Sequence, residues 1–264
     1  MLTVITEILI KCVRVKYLRD ITFVTTIFGA RYSPFLLPHV YTVKKQHPNR
    51  RHVLYWNGVS SELIDQASAM GVEVIQKETH GSSKHGLLND RMRLWEEGVA
   101  GSDSDTVVVD VDILFVKPIY HFFKNEITYT FRENHQYPLN FGILLLRDGS
   151  KHADFMHKLT KRTQYLFNNQ YERARQKYGS CDQQALVEML DSDFDIGGVS
   201  CLDLNEVDCN FTERTHAFHY KTGWHPMLLD GKPFPAKGPR SASKCRKAID
   251  FWLSVSEECN SSLE

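Results

Sequence analysis

The chain has 264 residues, with 32 basic and 32 acidic side chains and a formal net charge of zero at pH 7. Without a global positive field there is no electrostatic footprint for nucleic acid, so any anion site has to be local. Hydrophobic residues are 42% and aromatic residues 11% of the chain, which argues for a substantial core and against disorder, in one domain or two tightly joined halves.

The opening segment MLTVITEILIKCVRVKYLRD has a short apolar run broken by Glu7 and Lys11. It is too short to span a bilayer, and no small-residue cleavage pattern follows it. ITFVTTI (residues 21–27) is a β-branched run ending at Gly29, the pattern of a buried strand and a turn. Ser33-Pro34 predicts an N-cap and a first-turn proline for the helix FLLPHVYTVKKQ, with Pro38 early enough to be tolerated. HVLYW (52–56) reads as a second strand. Ser60-Ser61-Glu62 opens a helix that stops at Gly71, and VEVIQ (72–76) is a third strand. After the polar loop THGSSKHG, apolar residues at Leu87, Leu88, Met92, Leu94 and Trp95 predict a helix ended by Gly98. TVVVDVDILFVKPI comes next. This alternation implies a parallel α/β sheet covered on both faces, with ligands bound beyond the carboxyl ends of its strands, where Asp110 and Asp112 lie.

The second half is less regular. ITYTF (127–131) and GILLLR (142–147) read as strands, with the polar loop RENHQYPLNF between them. A helical stretch is expected over 151–177, a second helix opening at Asp182 as its N-cap, and short strands around Val207 and Ala217. The tail after Gly231 is rich in proline and lysine and closes on the helix-like KAIDFWLSV. The six cysteines (Cys12, Cys181, Cys201, Cys209, Cys245, Cys259) include no C-x-x-C pair, which speaks against a cysteine zinc site and gives little support to a disulfide framework. Sequons at Asn210 and Asn260 are short patterns that also arise by chance. The compartment expected is the cytoplasm, with an endomembrane lumen as the alternative.

Val107-Val108-Val109 should lie inside the sheet, and the two aspartates immediately after it are placed for a divalent cation at the sheet edge. Mg²⁺ or Mn²⁺ takes hard oxygen ligands, and substrate phosphates can complete the octahedron. Taken alone, D-x-D is more often a pair of solvated turn residues.

The segment TVVVDVDILFVKPIYHFF resembles the D-x-D segment of GT-A-fold glycosyltransferases. Three later segments follow in the order seen in the glycogenin-type, family 8-like branch. Leu139-Asn140-Phe141-Gly142 resembles its donor-sugar strand, Cys181-Asp182-Gln183-Gln184 its D-Q helix start, and His219-Tyr220-Lys221-Thr222-Gly223 its metal and phosphate segment. The resemblance covers about residues 20–228. It implies a mainly parallel GT-A sheet flanked by helices, with a smaller antiparallel sheet on the acceptor side, in a single domain with a nucleotide-binding half (about 20–112), an acceptor-side half (about 113–230) and a tail (231–264). It also implies transfer of a sugar from a nucleoside-diphosphate-sugar to a hydroxyl of a glycan, protein or lipid-linked acceptor, with Mn²⁺ or Mg²⁺ as cofactor and retention of configuration. Asp110, Asp112 and His219 would hold the metal, with His216 as the substitute third ligand. Lys221 and the Gly223 backbone, or Lys232, would meet the diphosphate beside Asp110 and Val111. Thr25, Thr26 and Tyr32 would form the base pocket, and Lys84, or Arg91, would touch the donor. Asn140, Asp182 and Gln183 would line the reacting face. The chain departs from the pattern at Phe141, where the family has serine, and at Trp224-His225-Pro226, where it has lysine-proline-tryptophan.

Two rivals stand beside this reading. A haloacid dehalogenase-type phosphatase would use Asp110 as nucleophile and Asp112 as acid/base, but that motif usually opens its fold, and here about a hundred residues precede it. A sugar-nucleotide-binding module without catalysis would keep the same residues. Signatures of P-loop, Rossmann, metalloprotease and serine hydrolase sites are absent from the sequence.

Overall fold

A computed structural model describes residues 20–81, 83–132, 137, 139–191, 198–202, 207–208, 211–221, 224–234 and 242–263. The opening segment therefore lies outside the described residues, as do Cys12, Cys209 and Gly223. Among the described residues no helix is long and apolar enough to cross a membrane, and Cys181, Cys201, Cys245 and Cys259 are free thiols.

The first half is built as its periodicity predicts. Strand β1 (Ile21–Phe28) leads through a short 3₁₀ turn into helix α1 (Ser33–Gln46), then β2 (Arg51–Asn57), α2 (Ser61–Ala69), β3 (Glu73–Gln76), α3 (Lys84–Ala100) and β4 (Asp105–Asp110). The short strand β5 (Ile113–Phe115) follows at once. The remaining strands are β6 (Ile127–Phe131), β7 (Leu139–Leu146), β8 (Val199–Leu202), β9 (Val207–Asp208) and β10 (Ala217–His219). Helices α4 (Ala153–Asn169), α5 (Tyr171–Tyr178) and α6 (Cys181–Leu190) follow β7, and α7 (His225–Leu228) and α8 (Ala242–Ser261) close the chain.

The large sheet runs β3-β2-β1-β4-β7-β6-β8. Its first four strands are mutually parallel, β7 is reversed between β4 and β6, and β8 runs parallel to β6. In the small sheet, β10 lies antiparallel to β5 and parallel to β9. Alternation sorts the buried strands into two cores. Val24, Val108 and Leu144 face α3, α4 and α6, whereas Phe23, Val107, Val109 and Ile143 face β5 and its neighbours. Helices α1, α2 and α8 cover a third cluster around Phe35, Leu36 and Trp252.

Several expectations need correcting. Gly98 does not end α3 but sits inside it, because a Cβ there would lie 2.5 Å from Val24 Cγ1, so glycine lets the helix close on β1. The stretch 151–177 is two helices broken at Gln170, whose backbone (φ −140°) leaves the helical region. Strand β7 begins at Leu139, three residues earlier than its apolar run suggests, and β8 carried no sequence signal. Ser180, not Asp182, precedes α6 as its N-cap.

Candidate functional site

The site is assembled at the carboxyl edge of the parallel strands. Asp110 is the last residue of β4 and pairs with Thr26 of β1. The chain turns through Val111 and Asp112 into β5, and β5 pairs antiparallel with β10, so that Ile113 faces His219. The Asp112 carbonyl accepts the Tyr220 N–H at 2.8 Å, which locks the turn to the end of β10. Two segments a hundred residues apart are thus brought together by backbone pairing alone.

Ligand atoms of Asp110, Asp112 and His219 lie within 4.8 Å of one another, so the three can hold a metal ion. His219 Nε2 is 3.1 Å from Asp112 Oδ1, and His225 Nε2 is 3.4 Å from Asp112 Oδ2 and 3.0 Å from the Tyr220 carbonyl. Burial would raise the Asp112 carboxyl, but the charges and hydrogen bonds of His219 and His225 outweigh it and hold the group well below the carboxylate range. The Asp110 carboxyl goes the other way: burial, helped by the like charge of Asp112, raises it against the pull of Arg91. A cation between the two would reverse that penalty for Asp110.

Arg91, from the buried face of α3, donates Nη1 to Asp110 Oδ1 at 2.5 Å and Nη2 to Asp182 Oδ2. Its guanidinium lies over the Trp95 ring, 4.4 Å from the centroid. One planar cation therefore joins the proposed metal end to the first turn of α6. Asp182 is 3% exposed, and its Oδ1 accepts the Gln183 N–H at 2.9 Å. Gly142, on β7, is where it must be: a Cβ would lie 2.5 Å from His219 Cε1 and 3.2 Å from Asp110 Oδ2.

These groups line a cleft of about 620 Å³. It contains Thr26, Tyr32, Arg91, Asp110, Val111, Asp112, Asn140, Gly142, Asp182, Gln183, His219 and Lys221, together with Arg31 and Arg132. Thr25 is not brought there. It is fully enclosed, with its hydroxyl 3.0 Å from both His39 Nε2 and His52 Nε2, and so presents no face to a nucleotide. Tyr32 stands edge-on to His225 at the cleft wall. His216 lies away from the cluster, with Nδ1 2.8 Å from the Pro118 carbonyl, and Lys232 is exposed outside the cleft. The Lys84 side chain and Gly223 lie outside the described residues.

Sequence reasoning left Arg91 as a second choice and passed over His225, Arg31 and Arg132. Arg91 had a readable signal, because it sits on the apolar stripe of α3 with Leu88, Met92 and Trp95, where a guanidinium requires a buried acid. His225 had none, since its meeting with Asp112 depends on the β5–β10 pairing.

The chain matches no protein-family model and no curated protein sequence. Its likeness to known proteins lies in three dimensions. The galactosyltransferase LgtC, in complex with donor and acceptor sugar analogs, superposes with a TM-score of 0.59 at 14% identity, over 90% of this chain and 95% of LgtC. An active-site mutant of LgtC gives 0.57 at 15% identity, over 88% and 95%. The glycosyltransferase GlyE of Streptococcus pneumoniae TIGR4 gives 0.58 at 13% identity, over 93% of this chain and 65% of GlyE. In the phosphatase reading the carboxylate strand opens the fold, whereas here it is the fourth strand. The architecture is that of the GT-A glycosyltransferases, with an Asp-Asp-His cluster that can bind a metal ion at the carboxyl edge of its sheet.

Proposed function

We propose that the chain is a metal-dependent glycosyltransferase that moves a sugar, in our reading a hexose, from a nucleoside-diphosphate-sugar to a hydroxyl of a glycan, protein or lipid-linked acceptor. The observation that carries this reading is the convergence of Asp110, Asp112 and His219 in one cleft at the carboxyl edge of a GT-A sheet. Two carboxylates and an imidazole suit Mn²⁺, with Mg²⁺ as the alternative. Bound there, such an ion supplies Lewis-acid charge toward a diphosphate.

The chain's own residues then divide the work. Lys221, beside the metal ligands, offsets charge on the departing nucleoside diphosphate. Thr26 and Tyr32 hold the nucleoside, while Lys84 and Gly223 are assigned donor contacts from the resemblance alone. Asp182 and Gln183 face the sugar from the start of α6, with Asp182 oriented by Arg91. The resemblance favours retention of configuration.

Two measurements test the reading. Nucleoside diphosphates should raise the melting temperature only when Mn²⁺ is present, by mass action on the folded state. The Asp112→Ala variant should fold but lose metal-dependent hydrolysis or transfer, and undiminished turnover in it would sink the assignment. Metal-dependent nucleotide binding without transfer or hydrolysis would favour the binding-module reading instead.

A further inference from the structure

We propose that Asn140 is a positioning residue of the metal site, one that holds the His219 ring by its Nδ1 whichever nitrogen carries the proton. The proposal rests on the metal-site reading above and assigns Asn140 a task distinct from its contact with a sugar hydroxyl.

The argument starts from three groups around one ring. Asn140 lies on β7, 6% exposed, with its Nδ2 3.1 Å from His219 Nδ1. An amide presents a donor, Nδ2, and an acceptor, Oδ1, at nearly the same place, so Asn140 can pair with Nδ1 either bare or protonated. On the other side of the ring, Nε2 is 3.1 Å from Asp112 Oδ1. Gly142, two residues along the same face of β7, leaves the space for Cε1 that any Cβ would fill. The ring is held on three sides.

A ring that ligates through Nε2 carries its proton on Nδ1, and Nδ1–H needs an acceptor, which the Asn140 amide can supply through Oδ1. Asparagine serves Nδ1 from this position; a leucine of similar shape does not. A histidine ligand whose second nitrogen is fixed in this way binds its metal more tightly, and loss of such an outer partner costs about 10–100-fold in affinity.

The test is a calorimetric Mn²⁺ titration of the full chain and of Asn140→Leu, Asn140→Asp and His219→Ala. Asn140→Leu should weaken Mn²⁺ binding about 10–100-fold, and Asn140→Asp, whose carboxylate accepts from Nδ1–H, should keep or strengthen it. Long-range ¹H–¹⁵N spectra of the unsubstituted protein should show His219 protonated at Nδ1 with diamagnetic Mg²⁺ bound. Undiminished Mn²⁺ affinity in Asn140→Leu, with His219→Ala still impaired, overturns this proposal and leaves the metal site standing. Undiminished affinity in His219→Ala overturns the metal-site reading itself. Should Asn140→Leu not fold, the Asn140→Asp affinity and the spectra decide: weakened binding in Asn140→Asp, or His219 without Nδ1–H in the Mg²⁺-bound unsubstituted protein, overturns the proposal.

Discussion

Two groups of buried histidines meet the chain at the start of β5, through Ile113 and through Asp112, and their environments differ completely. His39, His47 and His52 pack around Phe23 and Phe115 under the sheet, while His219 and His225 flank Asp112 at the cleft. In the core group the hydrogen bonds run one way. His52 Nε2–H reaches Thr25 Oγ1, the Thr25 hydroxyl reaches His39 Nε2, and His39 Nδ1–H reaches the Ile113 carbonyl at 2.6 Å. Among the described residues His47 has no hydrogen-bond partner at either nitrogen. Burial drives His39 down to about 4 and His47 to about 3, and it pushes His52 well below its ordinary value. Among the described residues the core group has no carboxylate within hydrogen-bond reach; the cleft pair shares Asp112. Burial alone makes a histidine a neutral wedge, and burial beside an acid makes it a candidate ligand.

Gly142→Ala should separate the two groups most strongly. The new Cβ would meet His219 at Cε1 and Nδ1 and push the ring off Asp112, without touching the core histidines. A displaced ligand forfeits several kcal/mol of metal assistance, so turnover should fall on the order of 10³-fold, while stability changes by roughly 1 kcal/mol. Turnover and Mn²⁺ affinity that survive the substitution would mean that His219 is not a ligand.

Acid should reach the core group first. A histidine held near 4 in the folded state and near 6.5 in the unfolded chain takes up its proton only on unfolding. Stability therefore rises with pH across that window and is lost as pH falls from 6.5 to 4, by roughly 3 kcal/mol for His39 alone. Asp112 has a linkage of the same sign in a lower window. Its depressed carboxyl contributes stability that is full above the ordinary carboxylate value and declines only in stronger acid. Denaturant melts at pH 7, 5 and 4 measure the window, and a flat profile would mean that the core histidines are solvated.

The contrast also explains what could be read from sequence. Strands β1 to β4 and their helices were legible because each is a local period, and Asp110-Val111-Asp112 was legible because it follows a valine run. The twelve histidines look alike in sequence. What separates His219 from His216 is the antiparallel pairing of β10 with β5, a long-range contact with no local signal. Gly98 misled for the same reason: local chemistry reads glycine as a stop, and only the approach of α3 to Val24 shows why it sits inside a helix. Thr25 misled by one residue, since neighbours on a strand face opposite sides and only Thr26 reaches the cleft.

The smallest expected effect is the most pointed test of the core group. His47 lies tilted or edge-on to Phe23, Phe115 and Tyr120 with ring centroids 4.9, 5.5 and 5.0 Å away, and both its nitrogens are buried without a partner among the described residues. Phenylalanine keeps the ring contacts and removes two polar atoms that gain nothing from being inside. It adds little volume, so the cost of overpacking is small beside the polar atoms removed. His47→Phe should therefore hold or raise stability at pH 7 by about 1 kcal/mol. It should also narrow the acid window, because one of the groups that protonates on unfolding is gone, and it should leave Mn²⁺ affinity unchanged. A loss of metal affinity in this variant would mean that the two histidine groups are coupled through Ile113 and β5, and that their separation by environment does not hold.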